Sequence, residues 1–371
     1  MIEKNLQPFS KLMKGWLYID RSIYMKKYVK KFASLLLAVA IGTAVLSGCQ
    51  QNVPGADSAA SAPTTITVDG QQVEVPYVMK VDGKEVPLDL YRYFYLSIKK
   101  QIDQGDDSYW DTHAEEQDDI KDAVLDNIRG YYANQKMADT YGVTLDETDE
   151  KNVDTQVDYY MNQNYEGDEA KFQEGLKEQY LTKDLFRQMM ASSLLQQKVA
   201  SELMDSTTGK YLTTEDEMKE ILNNEYIHAT HILLKTGTDD DEAQKKKAEE
   251  ALAKAQAGED FDALVEEYGE DPGMEENPDG YYFTDGMMLQ PFYDAASQLQ
   301  ENEISGIVET TAGYHIIKRL PLDEDYINEN IDSLITQHRQ LLIQKEYSDI
   351  QEGLTIEYGP QYDQINVDTL Q

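Results

Sequence analysis

The sequence predicts an α+β fold in which a small antiparallel sheet surrounded by helices is inserted in a mainly α-helical region. Two aliphatic, β-branched segments, residues 229–235 and 312–318, have the composition of buried strands. An Ala/Lys/Glu-rich stretch, 241–257, lies between them and ends at Gly258, as a helix does. On both sides of this region apolar residues recur at three- and four-residue spacing, which is typical of amphipathic helices.

The chain before the first of these strands begins with a strand-forming stretch and continues as helices. Residues 65–86 alternate Thr, Val and Ile around two Asp-Gly pairs, which predicts short strands or a hairpin. After Pro87 the spacing predicts one apolar helix face, made of Leu88, Leu90, Tyr91, Phe94, Tyr95 and Ile98. Further helices are predicted over 116–141, 146–164, 169–180, 182–204 and 323–351.

Each of the two predicted strands carries one histidine near its start. His231 lies in the first and His315 in the second, and the chain has only five histidines. Histidine is unusual in a hydrophobic strand because its ring nitrogens need partners once they are buried. If the two strands pair in one sheet, we expect the imidazoles to lie side by side and to satisfy each other.

The region 225–321 resembles the parvulin family of peptidyl-prolyl cis/trans isomerases over its whole length and in the family's order. The resemblance implies a small antiparallel sheet surrounded by helices, an isomerase activity toward Xaa-Pro bonds, and no cofactor. Between the two histidine strands it is carried by residues 261–268, Asp271, 280–283, 286–288, 291–296 and 302–308.

The resemblance also implies a pocket for the proline ring. In parvulins an apolar cup is built from one Met and two Phe, and these correspond to Met288, Phe292 and Phe283. Without the resemblance, the simpler interpretation is that all three side chains belong to the hydrophobic core.

A tandem imidazole pair, His231 and His315, is implied above this cup. Asp271 falls where parvulins carry Cys or Asp, and Thr310 falls at a hydroxyl position near the second histidine. Such a hydrogen-bond network would tune the polarity around the twisting amide. The alternative is that the pair is structural and holds two strands in register. We expect a joint structural and catalytic role.

Two departures from the family pattern bear on the site. Where most parvulins carry Gly-Gly-Asp-Leu-Gly, residues 277–282 read Asn-Pro-Asp-Gly-Tyr-Tyr, so Tyr281 or Tyr282 could enter the pocket mouth. The loop 236–242 is acidic and would repel the phosphate that some parvulins select. It could attract Ca²⁺ weakly, but a solvated helix N-terminus explains it better, and no metal site is predicted.

The N-terminal residues resemble the signal sequence of a bacterial lipoprotein. A cationic segment, 25–31, leads into 32–46, which has no charge and suits the apolar region of a signal peptide. Leu-Ser-Gly-Cys at 46–49 looks like a lipobox, so Cys49, the only cysteine in the chain, is the expected lipidation site. The alternative is an uncleaved anchor helix with an incidental cysteine. Met25 is itself a plausible start.

These features predict the following organisation along the chain. The flanking helices resemble those of PrsA-like and SurA-like secretion foldases, in which the N-terminal helices and the C-terminal segment form one chaperone domain. We expect a signal peptide over 1–48, a lipidated cysteine and flexible tether over 49–64, a mostly helical domain over 65–224, a parvulin-type domain over 225–321, and over 322–371 a helix packing back on the N-terminal domain followed by a tail.

The charge balance restricts the partners. The chain has a formal net charge of −37, with 70 Asp and Glu against 33 Lys and Arg. A nucleic-acid partner is therefore not expected, since phosphates need basic residues. An anionic lipid surface would repel the protein body, so anchoring falls to the lipid on Cys49. The acidity favours basic clients or serves only solubility.

Taken together, these features predict a lipid-anchored foldase on the extracytoplasmic face of the cell membrane. Its expected partners are unfolded or partly folded secreted proteins with Xaa-Pro bonds. The alternative is a non-catalytic holdase with a vestigial isomerase domain; the chain's 26 tyrosines suit either loose client binding or ordinary helix packing. A solute-binding lipoprotein would need two lobes with repeated βαβ patterns, which the sequence does not show.

Overall fold

The computed structural model describes residues 64–205, 207–237 and 241–370. These form two compact units, which we call the helical unit (described residues of 64–210, with 343–370) and the sheet unit (described residues of 211–342). The predicted signal peptide and Cys49 lie outside the described residues. Among the helices of the described ranges, none combines the length and the apolar character that a membrane span requires.

The α-helices account for most of the regular structure. Short 3₁₀ turns follow α1 and precede the C-terminus, at Asp107–Asp111, Ala114–Glu116 and Tyr362–Gln364. The helices are α1 Leu88–Asp103, α2 Gln117–Tyr141, α3 Glu147–Tyr165, α4 Glu169–Glu178, α5 Lys183–Leu203, α6 Glu215–Glu225, α7 Asp241–Gln256, α8 Phe261–Tyr268, α9 Pro272–Glu276, α10 Gln290–Gln298 and α11 Glu324–Gly353.

The strands form three small antiparallel sheets, in the orders β1-β2, β4-β3-β9 and β6-β5-β8-β7. The predicted α+β class, a small antiparallel sheet set in a mainly helical chain, is confirmed. The strands are β1 Thr65–Val68, β2 Gln71–Glu74, β3 Met79–Val81, β4 Lys84–Val86, β5 Ile227–Lys235, β6 Tyr281–Phe283, β7 Ile304–Glu309, β8 Gly313–Leu320 and β9 Ile356–Tyr358.

The helical unit begins with two hairpins at the predicted Asp-Gly pairs. Asp69 and Gly70 have φ of 49° and 75°, and Asp82 and Gly83 have φ of 48° and 78°. Two successive positive φ values define the type I′ turn, whose twist matches that of paired strands. The short-strand prediction for 65–86 therefore corresponds to the β1–β2 and β3–β4 hairpins.

The core of the helical unit is built largely from one face of α1 and the facing sides of α2 and α5. The α1 face includes the fully buried rings of Tyr91 and Tyr95, whose centroids are 6.0 Å apart. Ile128 from α2 and Leu185 from α5 belong to the same apolar cluster. The predicted stripe of α1 is buried in full, comprising Leu88, Leu90, Tyr91, Phe94, Tyr95 and Ile98.

The C-terminal segment completes the core of the helical unit. Strand β9 pairs with β3, and Leu354, Ile365 and Leu370 are buried in the same cluster as α1. The Tyr347 hydroxyl of α11 donates a 2.8 Å hydrogen bond to the Gly130 carbonyl of α2. The two ends of the described chain thus contribute to one core. The three-residue strand β9 is too short to be stable by itself, and it is stabilised by pairing with β3.

The sheet unit has helices on both faces of its four strands. In β5, side chains alternate: Ile232 and Leu234 face α7 and α8, whereas Ile227 and Ala229 face the opposite cluster with α10. Both faces are covered, so β5 is buried from Ile227 to Leu234. This explains why its sequence reads as a nearly continuous apolar run rather than as alternating apolar and polar residues.

The compact sheet unit extends beyond the predicted module, 225–321. Helix α6, which the spacing did not predict, and the part of α11 up to Leu342 belong to it. Met218 and Leu222 of α6 share an apolar cluster with Ile331 of α11 and with Tyr282 of β6. The expectation that all of 322–371 packs on the N-terminal domain is therefore corrected: residues 322–342 belong to the sheet unit, because their apolar face contacts β6 and α6.

Candidate active site

His231 and His315 lie on the same face of the sheet, on the paired strands β5 and β8. His231 is opposite Ile317 and His315 is opposite Leu233, so the two histidines are diagonal neighbours. Their ring centroids are 5.3 Å apart at an interplanar angle of 77°. Each residue is only 5% exposed. The structure therefore brings together the two imidazoles that the sequence singled out.

His315 is fixed by the turn that connects β7 to β8. Thr310 Oγ1 lies 2.8 Å from His315 Nε2 and accepts a 3.0 Å hydrogen bond from the Ala312 N–H. Burial is the main cause that lowers the pKa of His315 to about 3, and the neighbouring His231 acts in the same direction. His315 is therefore neutral at physiological pH.

Asp271 reaches His231 from the N-terminus of α9. Its Oδ2 lies 3.1 Å from His231 Nε2, without the alignment of a hydrogen bond. Its Oδ1 accepts from the Gly273 N–H at 3.0 Å, the usual role of an N-cap carboxylate. Burial by itself raises the pKa of Asp271, but His231 and the hydrogen bonds outweigh it and lower that pKa to about 2.

Three ring nitrogens of the pair are buried without a hydrogen-bond partner among the described residues. They are His231 Nδ1, His315 Nδ1 and His231 Nε2, and the last of these has the Asp271 carboxylate 3.1 Å away. Nearly all buried polar atoms in folded proteins are paired, so such exceptions need an explanation. The expectation that the two imidazoles satisfy each other is therefore not met.

The three residues of the predicted proline cup share one apolar cluster beside the histidines. The ring of Phe292 meets His231 edge-on at 5.1 Å and His315 at 5.2 Å, at angles of 77° and 76°. Phe283 packs against Phe292 at 5.6 Å and is 0% exposed, whereas Met288 is half-buried. Phe283 thus lies behind Phe292, and Met288 is the most accessible of the three.

Of the two tyrosines expected near the pocket mouth, only Tyr281 reaches the site. Its hydroxyl donates a 3.0 Å hydrogen bond to Asp271 Oδ2, and its ring stacks on His231 at 5.8 Å. Tyr282 points to the other face of β6, where it stacks on His228 at 4.2 Å and its hydroxyl accepts from the Asp323 N–H. The alternation of side chains along a strand separates the two.

His228 is a second buried histidine of β5, which the sequence reasoning did not single out. Its Nδ1 lies 2.7 Å from the Pro321 carbonyl oxygen and its Nε2 lies 2.7 Å from that of Asp279. It thereby connects the loop before β6 to the end of β8. Its place three residues before His231 puts it on the opposite face, where it has a structural role.

Of the acidic loop after β5, the structure describes only the two ends, and these are joined by a hydrogen bond. Asp241 Oδ1 accepts a 2.9 Å hydrogen bond from the Gly237 N–H, while residues 238–240 lie outside the description. Within the described ranges, no three His, Cys, Asp or Glu side chains are placed to hold a metal ion.

The chain matches two protein families, one over its N-terminal part and one over the sheet unit. Residues 211–320 match the PPIC-type PPIase domain, and residues 24–200 match the SurA-like N-terminal domain. The first match starts before the predicted boundary at 225 and includes α6, in agreement with the extent of the sheet unit.

Three of the relatives that the chain matches are PrsA proteins. The foldase protein PrsA of Clostridium tetani is 27% identical over 344 residues, which cover 87% of this chain and 94% of that protein. PrsA of Oceanobacillus iheyensis is 31% identical over 241 residues, 63% of this chain and 73% of that protein. The crystal structure of PrsA from Bacillus anthracis shares 22% identity and covers 61% of this chain and 94% of that chain, with a TM-score of 0.33. The sequence relatives show, without help from the solved structures, that this chain belongs to the PrsA family of foldases and contains a parvulin-type isomerase domain.

Proposed function

We propose that this protein catalyses the cis/trans isomerisation of Xaa-Pro bonds in secreted proteins while a lipid on Cys49 holds it at the extracytoplasmic face of the membrane. One observation carries the catalytic part: two buried, neighbouring imidazoles, each with an unpaired Nδ1, stand over the apolar cluster of Phe292 and Met288. The parvulin-type domain supports the same reaction.

The reaction is a rotation about the amide bond and requires no covalent bond to the protein. The barrier to rotating a peptide bond is about 18–20 kcal/mol, and it arises from the partial double-bond character of the amide. A catalyst lowers it by binding the twisted amide more tightly than either planar form. An apolar surface helps because the planar amide is the more dipolar species and gains less stabilisation away from water.

The imidazole pair supplies the polar part of such a site. His315 is neutral, with a pKa of about 3, so it presents a dipole to the amide and not a positive charge. His231 is held near the Asp271 carboxylate, 3.1 Å away. A fixed pair of ring dipoles stabilises the twisted amide without reorganising, which is how preorganised groups lower a barrier.

The anchoring part of the proposal depends on the N-terminal sequence. Residues 25–31 are cationic, 32–46 carry no charge, and Cys49 ends the lipobox-like Leu-Ser-Gly-Cys. A single acyl chain binds membranes only marginally, whereas two or more hold a protein stably. The body of the chain is strongly acidic, which favours basic segments of clients in the encounter.

A holdase without catalysis is the second candidate, and the surface tyrosines favour it. Tyr159 is 45% exposed and Tyr358 is 54% exposed, both in the helical unit. Tyrosine offers an apolar face with a polar tip, which suits loose contact with unfolded chains. In that case the helical unit alone would account for the protein's effect on clients.

An exchange measurement on an unphosphorylated Xaa-Pro peptide separates the two candidates. The full chain in detergent is compared with His231→Ala and Met288→Ala, and His113→Ala in the helical unit is the matched control. Faster exchange that falls in the two site variants, with circular dichroism unchanged, supports the isomerase. No acceleration by folded wild type would overturn it and leave the holdase.

A further inference from the structure

We propose that Tyr281 is a positioning residue that fixes the Asp271 carboxylate against His231, and so sets which nitrogen of that imidazole carries the proton. The inference deepens the proposed isomerase function and rests on it. The parvulin resemblance does not supply this residue, since the corresponding stretch, 277–282, departs from the family's glycine-rich pattern.

The Asp271 carboxylate is held from two sides. The Gly273 N–H of α9 donates to Oδ1 at 3.0 Å, and the Tyr281 hydroxyl of β6 donates to Oδ2 at 3.0 Å. The same Oδ2 lies 3.1 Å from His231 Nε2. Two donors on different elements fix the rotation of the carboxylate, whereas either donor alone leaves it free to turn.

The Tyr281 hydroxyl is suited to remain a donor. Burial first, and the Asp271 charge second, raise the pKa of Tyr281 far above its ordinary value. The phenol therefore stays neutral and keeps its proton at any physiological pH. Because an ionised carboxylate can only accept, its fixed Oδ2 favours a proton on the facing Nε2 of His231.

Gly273 gives independent support, because it makes room for the tyrosine hydroxyl. A Cβ at this position would lie 2.1 Å from Tyr281 Oη and 3.3 Å from Tyr281 Cζ. Any side chain at 273 would therefore displace the hydroxyl from Asp271. The ring of Tyr281 also covers His231, with 5.8 Å between centroids and 28° between planes.

Loss of the hydroxyl should change His231 without removing any group that contacts the proline ring. The carboxylate would rotate about its remaining bond to Gly273, and the preference for a proton on His231 Nε2 would weaken. In the proposed reaction this lowers kcat through the misaligned imidazole. KM stays the same, since the proline ring rests on Met288 and Phe292.

Nitrogen-15 NMR of the His231 ring gives a readout that a merely structural role would not move. The spectra and the kcat and KM of the full chain are compared with those of Tyr281→Phe, Gly273→Ala and the double variant. Tyr282→Phe is the control, because it removes the neighbouring hydroxyl on the opposite face of β6.

The proposal predicts that Tyr281→Phe and Gly273→Ala each redistribute the His231 tautomers and lower kcat about three- to ten-fold, with KM unchanged. The double variant should be close to Tyr281→Phe, because without the hydroxyl the 2.1 Å clash of the added methyl group is gone and only its 3.3 Å contacts with the ring and with Asp271 Oδ1 remain. Tyr282→Phe should match wild type in the His231 signals.

Two results would overturn the proposal, and they distinguish a failure of the positioning role from a failure of the proposed isomerase function. Wild-type His231 signals in a folded, active Tyr281→Phe would remove the positioning role and leave the isomerase function standing. Absence of isomerisation by wild type would remove the proposed function and with it the catalytic consequence. The NMR comparison would then still show whether Tyr281 sets the His231 tautomer.

Discussion

His231 and His315 are diagonal neighbours across β5 and β8 and not direct cross-strand partners. The direct partner of His231 is Ile317, and that of His315 is Leu233. This two-residue offset places both rings edge-on to Phe292 at 5.1 Å and 5.2 Å. The two imidazoles and the apolar cluster therefore pack against one another as one continuous group.

The buried His315 should make stability depend on pH. Its pKa is about 3 in the folded protein against an ordinary value of 6.5, so between these values the unfolded chain binds a proton that the folded one excludes. Stability is therefore full above pH 6.5 and declines as pH falls toward 3. From pH 7 to pH 4.5 the expected loss from His315 is about 2.5 kcal/mol.

Urea unfolding across this range, in wild type and in His315→Gln, measures that loss. The variant keeps a hydrogen-bonding side chain beside Thr310 but cannot titrate, so its stability should decline less. His338, whose pKa burial also lowers, is present in both proteins and cancels in the difference. Parallel curves for the two proteins would contradict the prediction.

Alanine substitution should affect the buried and the accessible residue of the predicted proline cup differently. Phe283 is fully buried, so Phe283→Ala should cost about 3–5 kcal/mol of unfolding free energy through the cavity it leaves. Met288 is half-buried, and Met288→Ala should cost less stability while raising KM for a proline peptide. Chemical denaturation and steady-state kinetics measure the two effects. Equal stability losses with unchanged KM would show that both residues are only core.

Gly313 should tolerate no side chain at the start of β8. Its φ is +144°, and a Cβ would lie 2.1 Å from the Leu234 carbonyl oxygen of β5. Gly313→Ala should therefore force the two strands apart and cost more than about 2 kcal/mol. Gly306→Ala in β7 is the control, since nothing lies within 4 Å of its added Cβ. Thermal unfolding of both variants checks this, and equal midpoints would contradict it.

Lipidation should depend on Cys49 alone. It is the only cysteine in the chain, so Cys49→Ser should abolish incorporation of labelled palmitate and move the protein from the membrane to the soluble fraction. Ser47→Ala keeps the thiol and is expected to remain labelled. An unlabelled wild type, or a labelled Cys49→Ser, would contradict the anchoring part of the proposed function.

Much of the fold was predictable because it follows from local patterns. The six-residue stripe of α1 and the Asp-Gly turns at Gly70 and Gly83 are short-range signals, and the structure shows both as predicted. Helix α6 was missed because only Met218 and Leu222 are buried along it, too few for a visible period. The strand β9 was missed because three residues carry no pattern of their own.

The candidate site also has features that follow from the sequence and features that depend on the tertiary structure. The sequence by itself determined the chemistry: histidine in two apolar strands, an aspartate before α9, a threonine before β8, and a Met and two Phe in the family's order. Local composition and motif order are properties of the chain, and they do not change when it folds.

Only the tertiary structure decided which side chains meet. The register of β5 against β8 made the histidines diagonal, and the register of β6 sent Tyr281 to Asp271 and Tyr282 to the opposite face. The packing buried Phe283 completely, so that it belongs to the core, and left Met288 partly accessible. A one-residue change of register reverses the face of every side chain in a strand, and long-range packing fixes the register.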